Sequence, residues 1–142
     1  MPRPRVHQRI VQFVVSRALS PEVPASHQLG PLQALADALY SLDLDWYAAT
    51  PGAPSVLDRV RYVPDPRGTE RWLDAGQLLM RGAGDCKSIA AAVAAEWTLA
   101  GRSARPLVVP VGLEEAPDFH VLVQTTDDGA RYDPCITAGM PT

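Results

Sequence analysis

The 142-residue chain contains only two cysteines and three histidines. Two cysteines without a C-x-x-C pair do not make a thiol-rich zinc module or a disulfide-stapled miniature domain, so free thiols are expected. No charge of one sign accumulates: 13 basic residues face 16 acidic ones, the net charge is -3, and no block of like charges occurs. Nucleic acid and an anionic membrane surface are therefore not expected partners. The basic residues Arg3, Arg5 and Arg9 alternate with Pro2, Pro4 and Val6, which suits a solvated leader or first strand better than a binding arm. No apolar run approaches the ~20 residues of a membrane span. The N-terminus also lacks the apolar core and small-residue cleavage site of a signal peptide. A soluble, cytoplasmic protein is expected. With no repeat, low-complexity tract or linker, residues 1–142 are read as one domain, and no cofactor is expected.

Proline is abundant. Fourteen of them cut the chain into short elements, while 46% hydrophobic residues suffice for a core. In residues 6–19, Val6, Ile10, Val11, Val14 and Val15 fit a helical stripe, while their β-branched content argues equally for a strand, the reading preferred here. Residues 21–30 read as a loop. Residues 31–48 repeat Leu32, Leu35, Leu39 and Leu42 behind Pro31, which predicts a helix. Residues 56–61 read as a short helical segment, "YVPDPRG" as irregular, and 69–80 as a short helix. Ile89, Val93 and Trp97 fall four apart among alanines, which predicts a helix over 86–100 with one buried face. Asp85 suits its N-cap and Gly101 its C-cap. Residues 107–111 form a strand kept near an edge or bend by flanking prolines. Residues 119–125 alternate, with Phe119, Val121 and Val123 on one face and His120, Leu122 and Gln124 on the other. "TTDDGAR" reads as a hairpin connection and "RYDP" as a return strand broken by Pro134. Helices first, then a helix backed by an antiparallel meander, give an α+β domain.

Three residues then carry chemistry. Cys86 stands at a helix start, where partial positive charge and free N–H groups favour a thiolate and an oxyanion. His120 supplies a general base and acid, and Asp133 a carboxylate to orient it. Gly82 and Gly84 would let the loop before Cys86 approach a substrate closely.

The stretches "GAGDCKSIAAAVAAEWTLAGRSARPLVV", "DFHVLV" and "RYDP" together resemble the transglutaminase-like cysteine peptidase superfamily, as does the lead-in "YVPDP…E…GAGDC". The similarity spans roughly residues 62–134. It implies a papain-like core, with a nucleophile-bearing helix packed on a small antiparallel sheet, and a Cys86–His120–Asp133 triad. The implied activity is cysteine-dependent acyl transfer on a protein or peptide substrate through a thioester, ending on water or an amine. Two positions depart from the pattern. Leu122 replaces an aromatic, and Lys87-Ser88 replaces an acidic pair. A lysine on a first helical turn is expected to point into water.

Several alternatives accompany this expectation. A two-residue turn at Asp128-Gly129 would set Gln124 opposite Asp133, with His120 ~13 Å away along the strand. A looser loop over Thr125–Asp128 would set His120 opposite Asp133. Gln77 is the nearest amide for an oxyanion, and Trp72 and Gly84 could line the same cleft. Cys135 is treated as a packing residue or incidental thiol, although a disulfide or zinc site with Cys86 is conceivable; no metal is expected. His7 and His27 read as surface residues. Bland readings make Cys86 a buried small hydrophobe and Asp133 a turn former. A domain this small leaves the substrate or a partner protein to complete a cleft. The rival function is a non-catalytic binding or assembly module of phage or bacterial structural type; a phage-encoded protein could be virion-associated.

Overall fold

The computed structural model describes residues 26–66, 70–113 and 116–141. The expected strand over 6–19 lies outside these, as do His7 and the side chain of His27. The first described element is α1, Ser26–Ala49, which starts earlier than Pro31 and carries that proline inside it. The segment expected as a loop is therefore helical from Ser26. Its inward face is Leu32, Ala36, Leu39 and Asp43, the last three buried, whereas Leu42 is turned outward. The leucine repeat thus located the helix but misassigned one of its stripe positions to the core.

Helix α2, Val56–Arg59, is capped by Ser55, whose hydroxyl accepts the Leu57 N–H. A two-residue strand β1, Arg61–Tyr62, pairs in parallel with β2, Ala83–Gly84; Arg61 was expected to end the helical segment, and the other three positions were expected to be irregular. Helix α3 spans Ala75–Arg81 rather than 69–80, because Asp74 caps it by accepting the Gln77 N–H at 2.8 Å. Its end is set by Gly82, which closes the helix with φ 67°.

Helix α4, Cys86–Leu99, occupies the centre. Residues 87–95 are all buried, so it has no single inward stripe. Helix α1 packs on one side, strands β3 and β4 on another, and α3 and α5 close the remainder. Alanine makes this possible, since a small side chain lets neighbouring backbones come close on every face.

Strand β3, Ala104–Leu113, pairs antiparallel with β4, Ala116–Thr125, and β4 pairs with β5, Arg131–Tyr132. Both long strands exceed their expected bounds. Pro106 and Pro110 lie inside β3, on the edge away from β4, where a missing N–H breaks no ladder bond. That edge is closed by a side chain. Gln33 of α1 donates to the Pro106 carbonyl at 2.9 Å and accepts the Val108 N–H at 2.9 Å, as a neighbouring strand would. Strand β4 alternates as expected, with Val121 and Val123 buried. Helix α5, Pro134–Thr137, follows β5 immediately. The result is an α+β arrangement around a small antiparallel sheet, and no described helix is long and apolar enough to cross a membrane.

Replacing Gln33 with alanine strands both β3 backbone groups. The expected loss is about 1–3 kcal/mol for unsatisfied buried polar groups, read from chemical denaturation; an unchanged midpoint would contradict this role. Asp43 offers a second check. Its carboxyl is fully buried and, among the described residues, accepts only the Ala75 N–H at 2.7 Å and leaves Oδ2 without a partner. Burial pushes it from 3.8 up to about 8. Its folded pKa is raised, so the stability it contributes is complete below its unfolded pKa and is lost as pH rises through about 8. Asp43→Asn should flatten stability against pH between those limits by one proton, and an unchanged slope would show that Asp43 is not the titrating group.

Candidate functional site

Asp133 is held from two directions. As N-cap of α5 it accepts the Cys135 N–H on Oδ1 at 3.0 Å, and its Oδ2 meets His120 Nε2 at 2.7 Å. Neither expected hairpin register occurs. The connection Thr126–Gly129 is closed by Thr125 N–H to the Ala130 carbonyl at 2.9 Å, and Val123 lies opposite Tyr132. Continuing that register puts Asp133 opposite Leu122, so His120 and Asp133 are diagonal neighbours on one face. Such positions sit roughly 7–8 Å apart at the backbone, a gap that a carboxylate and an imidazole bridge together. With Nε2 engaged, His120 Nδ1 has no hydrogen-bond partner among the described residues.

Cys86 is the first residue of α4 and is half-buried. Its sulfur lies against the backbone N–H groups of Val121 and Lys87, which places it beside the residue following His120. No hydrogen bond joins it to His120. The expected depression of the thiol does not occur. Burial pushes it up to about 11, the Asp85 carboxylate adds to the rise, and the two N–H groups and the Lys87 charge only partly oppose it. At pH 7 the sulfur therefore holds its proton.

Lys87 explains part of this. Rather than pointing into water, its side chain is 5% exposed and lies among Asp65 at 2.9 Å, Glu70 at 3.0 Å and Asp85 in close contact. Burial opposes its charge, but these carboxylates hold it above its ordinary value. Its positive charge is thus spent locally. Asp85 stands at the N-cap position of α4 yet makes no cap bond: one oxygen serves Lys87, and the other is buried without a partner among the described residues. Burial raises its pKa, whereas Asp65, also penalised by burial, is lowered on balance by Lys87 and the Arg71 N–H.

The cleft candidates divide. Trp72 lies in the extended chain before α3, with Lys87 Nζ 5.9 Å from its ring centre, so it borders the ionic cluster. Gln77 is half-buried on α3 and its side chain makes no hydrogen bond among the described residues. Gly84 is required by packing. A Cβ there would overlap Leu78 Cδ1, and Leu78 is a fully buried core residue. Cys135 lies wholly in the core, as a packing residue would, yet its sulfur is within 4.8 Å of the ligand atoms of His120 and Asp133. Burial first and the charge of Cys86 second raise its pKa. Tyr62 on β1, whose phenol is raised by burial and then by Cys86 and Cys135, borders the same region. Sequence reading missed Tyr62, the Val121 N–H and the Lys87 cluster. Only the Asp133-x-Cys135 spacing hinted at Cys135's nearness.

No protein family, curated protein or solved structure matches this chain.

Lys87→Met leaves Asp65 and Asp85 without their counter-ion. The expected cost is about 3–5 kcal/mol, as for other broken buried pairs, measured by denaturant unfolding. A loss below about 1 kcal/mol, the scale of an exposed pair, would show the cluster to be dispensable.

Proposed function

We propose that the chain performs cysteine-dependent acyl transfer, in its simplest form hydrolysis of a peptide or amide bond, on a papain-like core of the transglutaminase-like type. The observation that carries this reading is the 2.7 Å His120–Asp133 hydrogen bond on the strand whose next backbone N–H faces the Cys86 sulfur. Cys86 Sγ attacks the carbonyl carbon while its proton passes to His120 Nδ1. Asp133 keeps the proton on Nε2 and offsets the imidazolium charge that forms. The N–H groups of Val121 and Lys87 receive the developing oxyanion. Collapse expels the amine, which takes the proton from His120 and leaves a thioester on Cys86. Water then completes a hydrolysis, or a second amine completes a transamidation.

A thiol raised to about 11 decides the form of this mechanism. A preformed thiolate–imidazolium pair is not the resting state, so attack and proton transfer occur together, with His120 as general base. The same observation favours a second reading, a non-catalytic binding or assembly module that keeps the fold. An activated aryl ester separates them, with the acyl group on Cys86 read by mass spectrometry and release of the phenol read as a burst. The acyl-transfer reading expects a thioester in the native chain, loss of it in Cys86→Ala, and a fall in acylation rate of about 10²–10⁴ in His120→Ala. Acylation equal in the native and His120→Ala chains, or none on Cys86, would leave the binding module.

A further inference from the structure

We propose that His120, Asp133 and Cys135 form a binding site for a soft divalent cation, of which zinc is the natural occupant. One nitrogen, one carboxylate oxygen and one sulfur lie within 4.8 Å of one another, a donor set of the kind zinc selects. The site is already braced. Asp133 Oδ1 is tied to the Cys135 N–H, so the carboxylate presents Oδ2 to the histidine in a set orientation, as outer-shell bonds do around metals. The cation reaches it from the side of His120 and Asp133, whose side chains are 16% and 17% exposed, with the wholly buried Cys135 behind. Three protein ligands leave one tetrahedral position for water.

The molecule contains a useful contrast. Asp65, Glu70 and Asp85 also bring three ligand atoms within 4.8 Å of one another, but the Lys87 ammonium already sits among them and supplies the cation of that group. Among the described residues, no such charge fills the His120 cluster.

Binding requires modest rearrangement. The 2.7 Å His120–Asp133 separation opens to roughly 3.3 Å, the edge of a tetrahedron with bonds of about 2.0 Å. The proton on Nε2 moves to Nδ1, and the Cys135 thiol proton leaves to solvent. The cation then occupies both groups that the acyl-transfer reading needs for proton transfer. In so far as that reading holds, zinc switches the relay off by replacing the proton between His120 and Asp133. Cation binding itself does not rest on it.

The test uses the full chain and requires no substrate. Titration with cobalt(II) should give one equivalent bound, with thiolate-to-metal charge-transfer absorption, and zinc should displace it. Cys86→Ala should keep the absorption. Cys135→Ser should lose it, and His120→Gln should weaken cobalt by at least about tenfold. Because Cys135 is in the core, zinc-edge X-ray absorption on the unsubstituted chain provides a second measurement. One sulfur at about 2.3 Å with nitrogen and oxygen neighbours is expected. Absence of stoichiometric binding, a first shell without sulfur, or absorption that follows Cys86 instead of Cys135 would overturn the assignment. None of those outcomes depends on whether Cys86 is acylated.

Discussion

The meeting of His120 with Asp133 depends on where β5 stops. Asp133 has to end a two-residue strand and begin a helix at once, and Pro134 makes both happen. A proline disfavours helical conformation in the residue before it, which holds Asp133 extended at φ -103° and ψ 96°. The same proline is well tolerated as the first residue of α5, where no N–H is needed. Asp133 therefore spends one oxygen on capping α5 and has the other free for the imidazole. A carboxylate one position earlier would belong to the strand and one later to the helix, and neither could do both.

The central position of α4 imposes an opposing constraint. Its alanines let three layers close on it, and this close packing extends to its first turn, where Cys86 sits. A helix N-terminus offers a thiolate partial positive charge, but burial removes far more solvation than the terminus returns. The adjacent positive charge, Lys87, is bound to three carboxylates and has little left to offer the sulfur. Packing of the core thus keeps Cys86 protonated, and in the proposed acyl transfer a base would have to act during attack. The same crowding puts Cys135 behind His120 and Asp133, so the proposed proton relay and the proposed cation site draw on one group of atoms.

The coarse architecture was legible in the sequence because periodicity reports burial. The four-residue spacing of Ile89 and Val93 located α4, and the alternation of β4 put Val121 and Val123 inward, as the structure has them. Pattern misled where burial was not one-sided or where side chains replaced backbone partners. All-round alanine burial hid the depth of α4. Leu42 looked like core, while Asp43, a carboxylate, holds the inward position. Proline appeared to bound β3 but lies within it, because an edge strand tolerates the missing donors and Gln33 covers the remainder. Around the site, residue types and order were visible, but hairpin register was not. Two candidate registers bracketed the actual one, and only the actual one makes His120 and Asp133 diagonal neighbours. The fate of Lys87 was invisible because its partner Asp65 comes from a segment without periodicity and Glu70 from one expected to be helical, so neither signalled a contact with α4.

Nitrogen NMR of the His120 imidazole tests the central claim most directly, since the proposed relay gives each ring nitrogen a different role. It predicts a protonated Nε2 whose signal shifts in Asp133→Asn, and an unprotonated Nδ1 whose signal shifts in Cys86→Ala. A ring protonated at Nδ1 in the native chain, or an Nδ1 signal indifferent to Cys86, would contradict a relay linking the three residues.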